Sequence, residues 1–326
     1  MRAIIIRRPG GPEVLTIAER PTPQPQPGEV LIAVRAFGIN RAELYFRSGA
    51  WGEVAEISGI ACAGVVVADP SGALSPGQRV FALMGGMGRS RPGSYAEYVT
   101  VPRSNVVAVE SDLSWPDLAA LPESYATAWT CLAGNLGLAR SQTLVIRGAT
   151  SALGQAALNI AAGLGARVIA TTRREANSAM LRDLGAAEVL VGDSATAEAV
   201  RRIQPGGADA VLDLIGTATL LESLAMVRRG GRVCVAGFLG GGGALANFDP
   251  VFQMPSEVHL SAFASAFAFG TADFLLDVIP FQAIAAKAAA GLYQAKPAHV
   301  FRFEDIVAAH RLAEASAAGG KIVVCV

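Results

Sequence analysis

Thr143-Leu-Val-Ile-Arg-Gly-Ala-Thr-Ser-Ala-Leu-Gly154 sets an apolar, strand-forming run against a turn of small residues, and a helical pattern follows it to Leu164. Strand, tight turn and helix in that order build a seat for a dinucleotide pyrophosphate. The unpaired N–H groups and the dipole at the helix N-terminus favour negative charge, and small residues let phosphate approach the backbone. The usual spacing has three glycines; here the key positions are Gly148, Ser151 and Gly154, with Ala152 and Leu153 supplying the first helical N–H groups. The context, more than the glycine count, carries the reading. The alternative is an ordinary strand–helix turn.

The next strand, Arg167–Thr171, runs into Thr172-Arg173-Arg174. An NAD site usually places a carboxylate here for the ribose 2′-OH, whereas two guanidiniums and a hydroxyl suit a 2′-phosphate. The expectation is NADP(H). The competing reading makes both arginines a solvated helix start, with Glu175 left to serve a ribose.

Outward from this unit the rhythm is strand and helix in alternation. A helix is expected at Glu175–Leu184, with strands at Glu188–Val191, Ala208–Leu214, Arg232–Ala236 and Val258–Ala262. Apolar strands between helices predict a parallel sheet covered on both faces. Earlier, short runs at Glu29–Phe37, Ala63–Ala68, Arg79–Leu83 and Tyr95–Val101 alternate with Gly/Pro punctuation, which suggests a compact β-barrel-like unit. After a helix-like stretch at Ala272–Ala290 come a strand at Val300–Phe303, a helix at Glu304–Ala318 and a strand at Lys321–Cys325. The tail strands need a partner sheet and are expected to rejoin the first unit. The expected division is 1–120, completed by about 291–326, and a dinucleotide unit at 121–290.

Composition agrees with this outline. A chain of 326 residues exceeds what one core usually supports, and 52% hydrophobic against 17% charged residues points to well-buried elements. Lys+Arg and Asp+Glu are both 27, so no long-range field gathers polyanions, which argues against nucleic acid as a partner. No stretch reads as a membrane span or a signal-peptide core, so a cytoplasmic location is expected. Cys62, Cys131, Cys234 and Cys325 are scattered in apolar surroundings and read as buried free thiols.

Taken together, Gly11-Pro-Glu-Val-Leu15, Pro27-Gly-Glu-Val-Leu31, Gly38-Ile-Asn40, Arg47-Ser-Gly49, Gly77-Gln-Arg-Val80, Gly93-Ser-Tyr-Ala-Glu-Tyr98, Thr127-Ala128, the glycine turn, Gly230-Gly-Arg-Val233 and Gly320-Lys-Ile-Val323 resemble the quinone oxidoreductase branch of the medium-chain dehydrogenase/reductase superfamily. The order and spacing of these stretches, not any one of them, carry the resemblance. It implies an α/β fold: a Rossmann doubly wound parallel sheet beside a GroES-like β-barrel catalytic domain, commonly assembled as homodimers or homotetramers.

The zinc-dependent alcohol dehydrogenases of that superfamily place a cysteine where this chain has Asn40 and a His-Glu pair where it has Ile60-Ala61. Catalytic zinc needs three protein ligands, and none of these side chains serves as one. The expectation is no metal. Without a Lewis acid, an acceptor that delocalises charge is favoured, which points to a quinone or an α,β-unsaturated carbonyl.

The resemblance also implies site residues. Asn40-Arg41-Ala42-Glu43-Leu44-Tyr45 looks like the stretch that faces the nicotinamide: Asn40 would position the ribose or the substrate oxygen, and Tyr45 would donate a hydroxyl or else simply pack. Thr127, Gly237, Phe238 and Lys321 are expected around the cofactor, though Thr127 also suits helix packing and Lys321 capping of the last strand. Ala61 departs from a glutamate common in quinone reductases. Two competing functions remain open: a zinc-type alcohol dehydrogenase or carbonyl reductase, and a non-catalytic NADPH-binding module that contacts a partner protein or RNA.

Overall fold

In the computed structural model, which describes residues 1–192 and 195–326, six strands form an all-parallel sheet. Across the sheet they run Glu188–Val191, Arg167–Thr172, Thr143–Arg147, Ala208–Asp213, Val227–Val235 and His259–Ala262. Numbered by sequence, that is the 3-2-1-4-5-6 order of a doubly wound dinucleotide fold, with its switch point between Thr143–Arg147 and Ala208–Asp213. Every residue of Thr143–Arg147 is buried, as a central parallel strand requires. The expected helix Ala152–Leu164 is present with the same bounds.

The second sheet has seven strands and is mostly antiparallel, with the long strand Glu29–Ile39 at its centre. The amino-terminal half of that strand pairs with Tyr98–Pro102 and its carboxyl-terminal half with Ile322–Cys325, while Ala61–Ala68 runs along its other side. The tail strands extend the sheet of the first unit: Ile322–Cys325 pairs antiparallel with Glu29–Ile39, and His299–Arg302 pairs in parallel with Ile322–Cys325. An N-terminal hairpin, Arg2–Ile6 with Leu15–Glu19, adds a strand pair that the sequence reading did not anticipate.

Two compact units result: Met1–Glu123 with Ser265–Gly291 and Ala295–Val326, and Ser124–Ala264 with Leu292–Gln294. Ser265–Gly291 falls in the first unit, whereas the sequence reading ran the dinucleotide unit to 290. The cause is local: Asn105 Nδ2 donates to Phe269 O at 3.1 Å, Gln282 Oε1 accepts from Glu110 N at 2.9 Å, and Phe281 packs its ring 5.6 Å from that of Phe81.

Three expected helices are shorter than the pattern suggested. Ala272–Ala290 reduces to a 3-10 turn at Leu276–Val278 and an α-helix at Phe281–Ala289, because Pro280 lacks the N–H a helix interior needs. Glu175–Leu184 begins as a 3-10 turn, Glu175–Asn177, before the α-helix Ser178–Asp183. Glu304–Ala318 reduces to Ile306–Glu314 behind a 3-10 turn. Among the described residues no helix is long and apolar enough to cross a membrane.

Candidate active site

In the dinucleotide-type unit the turn after Thr143–Arg147 is closed by Ser151. Its hydroxyl donates to Gly148 O at 2.9 Å and accepts from Gly154 N at 3.1 Å, so one side chain both shuts the turn and caps the helix. A helix start leaves N–H groups without helical acceptors, and those of Ala152 and Leu153 lie at this one. Gly148 sits at φ +78, and a Cβ on Gly154 would stand 2.5 Å from Gly148 O. Both positions therefore require glycine, and serine at the middle position does the work of a cap. These features fit a pyrophosphate.

At the end of Arg167–Thr172, the Thr171 hydroxyl accepts from Gly148 N at 3.4 Å, tying the two strand ends together. The Thr172 hydroxyl is spent locally, accepting from Arg174 N at 3.2 Å and Asn177 Nδ2 at 3.3 Å. Arg173 and Arg174 are exposed and make no ion pair among the described residues. On the other side of the switch point, the loop carrying Gly237 and Phe238 bonds to the turn after Ala208–Asp213, through Leu239 N to Leu214 O at 3.1 Å. Leu239 lies over Gly148, and Phe238 is 48% exposed. Thr127 is buried in the Pro122–Trp129 helix.

Two buried charged groups at this switch point escaped the sequence reading. Arg147, immediately before the turn, donates from Nη2 to Glu222 at 2.7 Å and from Nη1 to Ser223 at 3.2 Å. Asp213, fully buried, accepts from Ser223 Oγ at 2.6 Å, Thr219 Oγ1 at 2.8 Å and the amides of Ile215 and Gly216. Together they fix both strand ends that border the turn. A charge closing an otherwise apolar strand was the signal available.

In the other unit, the helix Arg41–Ser48 opens with a capping box between Asn40 and Glu43. Asn40 N donates to Glu43 Oε2 at 2.7 Å; its Nδ2 donates to Glu43 Oε1 at 3.1 Å and to Gly38 O at 3.2 Å. Lys321 Nζ donates to Asn40 Oδ1. Both amide hydrogens of Asn40 are thus committed within the protein, so Asn40 orients its neighbours and is not placed to donate to a substrate oxygen.

Glu43 is fully buried and also accepts from Ile60 N at 3.1 Å. Burial pushes its carboxyl up to about 7, opposed by the Asn40 hydrogen bond and the Lys321 charge. Lys321 is 7% exposed, and burial holds its ammonium below the usual lysine range against the pull of Glu123 and Glu43. Glu43 thus brings a carboxyl to the amide of Ile60, next to Ala61. Tyr45 is half-buried and stacked on Trp51, ring centroids 6.5 Å apart, and the Arg89 guanidinium lies between the faces of Trp51 and Phe267.

Farther along the same helix, Arg47 donates to His310 Nδ1 at 3.3 Å and to Glu314 at 2.7 Å. Nδ1 must then accept, so the neutral His310 ring carries its proton on Nε2 and donates it to Tyr95 Oη, 3.0 Å away. Burial and the Arg47 charge lower His310 to about 3. Among the described residues no three His, Cys, Asp or Glu side chains converge to hold a metal ion.

Comparison with known proteins agrees with this architecture. Residues 26–111 match the alcohol dehydrogenase GroES-like domain, and residues 152–275 match the family model described as zinc-binding dehydrogenase. Mouse quinone oxidoreductase is 30% identical over 250 residues, covering 74% of each chain. Among solved structures, a mycobacterial protein complexed with NADPH superposes with a TM-score of 0.87 at 27% identity, and an NAD-dependent alcohol dehydrogenase with 0.83 at 28%, both over 100% of each chain. The chain belongs to the medium-chain dehydrogenase/reductase superfamily, in its quinone oxidoreductase-like branch. It has the α/β fold of that family, with a Rossmann sheet and a GroES-like domain, and it is an oxidoreductase of small molecules that uses a nicotinamide cofactor.

Proposed function

We propose that the protein transfers hydride from NADPH to quinones or α,β-unsaturated carbonyls without zinc. The observation that carries the cofactor half is the strand end Thr172-Arg173-Arg174, where two exposed guanidiniums follow a strand tied to the glycine turn. Gly148, Ser151, Ala152, Leu153 and Gly154 would hold the pyrophosphate, with Thr127, Gly237, Phe238 and Lys321 toward the nicotinamide. When bound, the cofactor supplies hydride from its nicotinamide C4.

The metal half rests on the donor set. Asn40, Ile60 and Ala61 occupy the positions where the zinc enzymes carry ligands, and within 152–275 the sole cysteine is the buried Cys234 and the sole histidine is His259. A quinone or enone spreads the incoming charge over its conjugated system, so a positioned hydrogen-bond donor replaces the Lewis acid. Tyr45 is the hydroxyl proposed to donate, with Asn40 holding the arrangement around it. The domain roles follow: a catalytic unit built on 1–120 and the tail, a cofactor unit built on the parallel sheet. We further place the protein in the cytoplasm as a homodimer or homotetramer.

Steady-state assays of NADPH oxidation with a panel of quinones and enones test this reading. Turnover above background with at least one of the two classes is expected. Rates at background across both would refute it, and activity restored only by stoichiometric zinc would favour the alcohol dehydrogenase reading.

A further inference from the structure

Asn40, Glu43 and Lys321 form one hydrogen-bonded polar unit. Lys321 crosses Gly38 so closely that a Cβ there would overlap Lys321 Cε. Glycine at 38 thus leaves room for this lysine to reach Asn40 Oδ1. The Asn40 carboxamide has two flip orientations. With Glu43 and Gly38 O both accepting from it on one side, Nδ2 must face them and Oδ1 must face Lys321.

We propose that Glu43 is a positioning residue: its buried carboxylate locks the Asn40 carboxamide in the orientation that seats the Lys321 ammonium, and Lys321 joins Tyr45 as a second, charged donor to the oxygen on which charge develops. The proposal rests on the reductase reading above and deepens it. An ammonium has three donors, of which Asn40 Oδ1 engages one. A fixed positive donor in a low-dielectric seat stabilises an enolate or hydroquinone oxygen without reorganising.

The ionisable groups around Glu43 support the coupling. Lys321 acts on it from the segment before the last strand, Tyr95 feels its charge, and Arg47 follows it by one turn in its own helix. Glu123 in turn faces Lys321. Burial pushes Glu43 up to about 7, so its charge, and with it the support for Lys321, changes near neutrality.

Two measurements on the full chain test this. In the first, kinetics are compared for wild type, Glu43→Gln, Lys321→Met and the double variant. Each single change is expected to lower kcat by about tenfold or more, Glu43→Gln with little change in KM for NADPH, and the double variant to lose no more kcat than the worse single. The neutral limb of the wild-type pH profile should be absent in Glu43→Gln. Additive losses, or an unchanged pH profile, would overturn the proposal.

The second measurement needs no turnover. The Glu43 side-chain carboxyl, labelled with 13C and assigned by its loss in Glu43→Gln, is titrated by NMR in wild type and in Lys321→Met. Losing the ammonium should move its midpoint upward; an unmoved midpoint would leave Glu43 as a helix cap only and overturn the coupling. A wild type inactive with every quinone and enone would refute the reductase reading, and this titration would still decide the role of Glu43.

Discussion

Glu43 and His310 are buried in the same unit and titrate in opposite senses. Glu43 is pushed up to about 7, so its contribution to stability is present below its ordinary value of 4.5 and is lost as pH rises through 7. His310 is lowered to about 3, so its contribution is present above its ordinary value of 6.5 and is lost as pH falls toward 3. Between pH 4.5 and 6.5 the two slopes oppose each other. Glu43→Gln is therefore expected to lose stability more steeply than wild type on acidification. His310→Gln, whose amide can still accept from Arg47 and donate to Tyr95, is expected to show the reverse. Urea midpoints measured across that range check this; parallel profiles for all three proteins would contradict it. Arg173→Ala and Arg174→Ala belong to the same scale. Each should weaken NADPH by about tenfold with NADH nearly unchanged, measured as direct Kd values; equal losses for both cofactors would remove the 2′-phosphate role.

At the scale of elements, the strand–turn–helix from Thr143 to Leu164 was legible because each signal agreed: an apolar strand, small turn residues, a cap and a helical pattern. The role of Ser151 as a cap predicts that Ser151→Ala costs about 1 kcal/mol. It should also weaken cofactor binding, since the turn loses its closure to Gly148; chemical denaturation and a cofactor titration would show both. An unchanged stability would mean that the hydroxyl does not hold the turn.

What was not legible had physical reasons. The N-terminal hairpin joins Arg2–Ile6 to Leu15–Glu19, and the exposed pattern of the second strand carries little apolar periodicity. Pro280 divided a stretch whose alanines read as helix from end to end. The Glu43–Lys321 relation spans almost the whole chain, and spacing cannot announce such a pair. The candidate residues themselves were found partly by resemblance; the structure added that Asn40 is committed on both faces of its amide.

For the whole molecule, the two units divide the proposed reaction. The parallel sheet offers a pyrophosphate seat at its switch point and two free-standing guanidiniums on the neighbouring strand end. The GroES-like unit offers a buried ammonium, a buried carboxyl and a half-buried tyrosine. The solved relatives include both an NADPH complex and an NAD-dependent enzyme, so kinship alone does not choose the cofactor. Arg173 and Arg174 make that choice in our account, and Asn40, Ile60 and Ala61 make the choice against metal. Both choices are read at once in the ratio of kcat/KM for NADPH to that for NADH, with a quinone acceptor, on protein dialysed against a strong zinc chelator. Full activity after dialysis and a ratio of about tenfold or more in favour of NADPH are expected. Activity that vanishes on chelation and returns with zinc, or a ratio at or below unity, would contradict it.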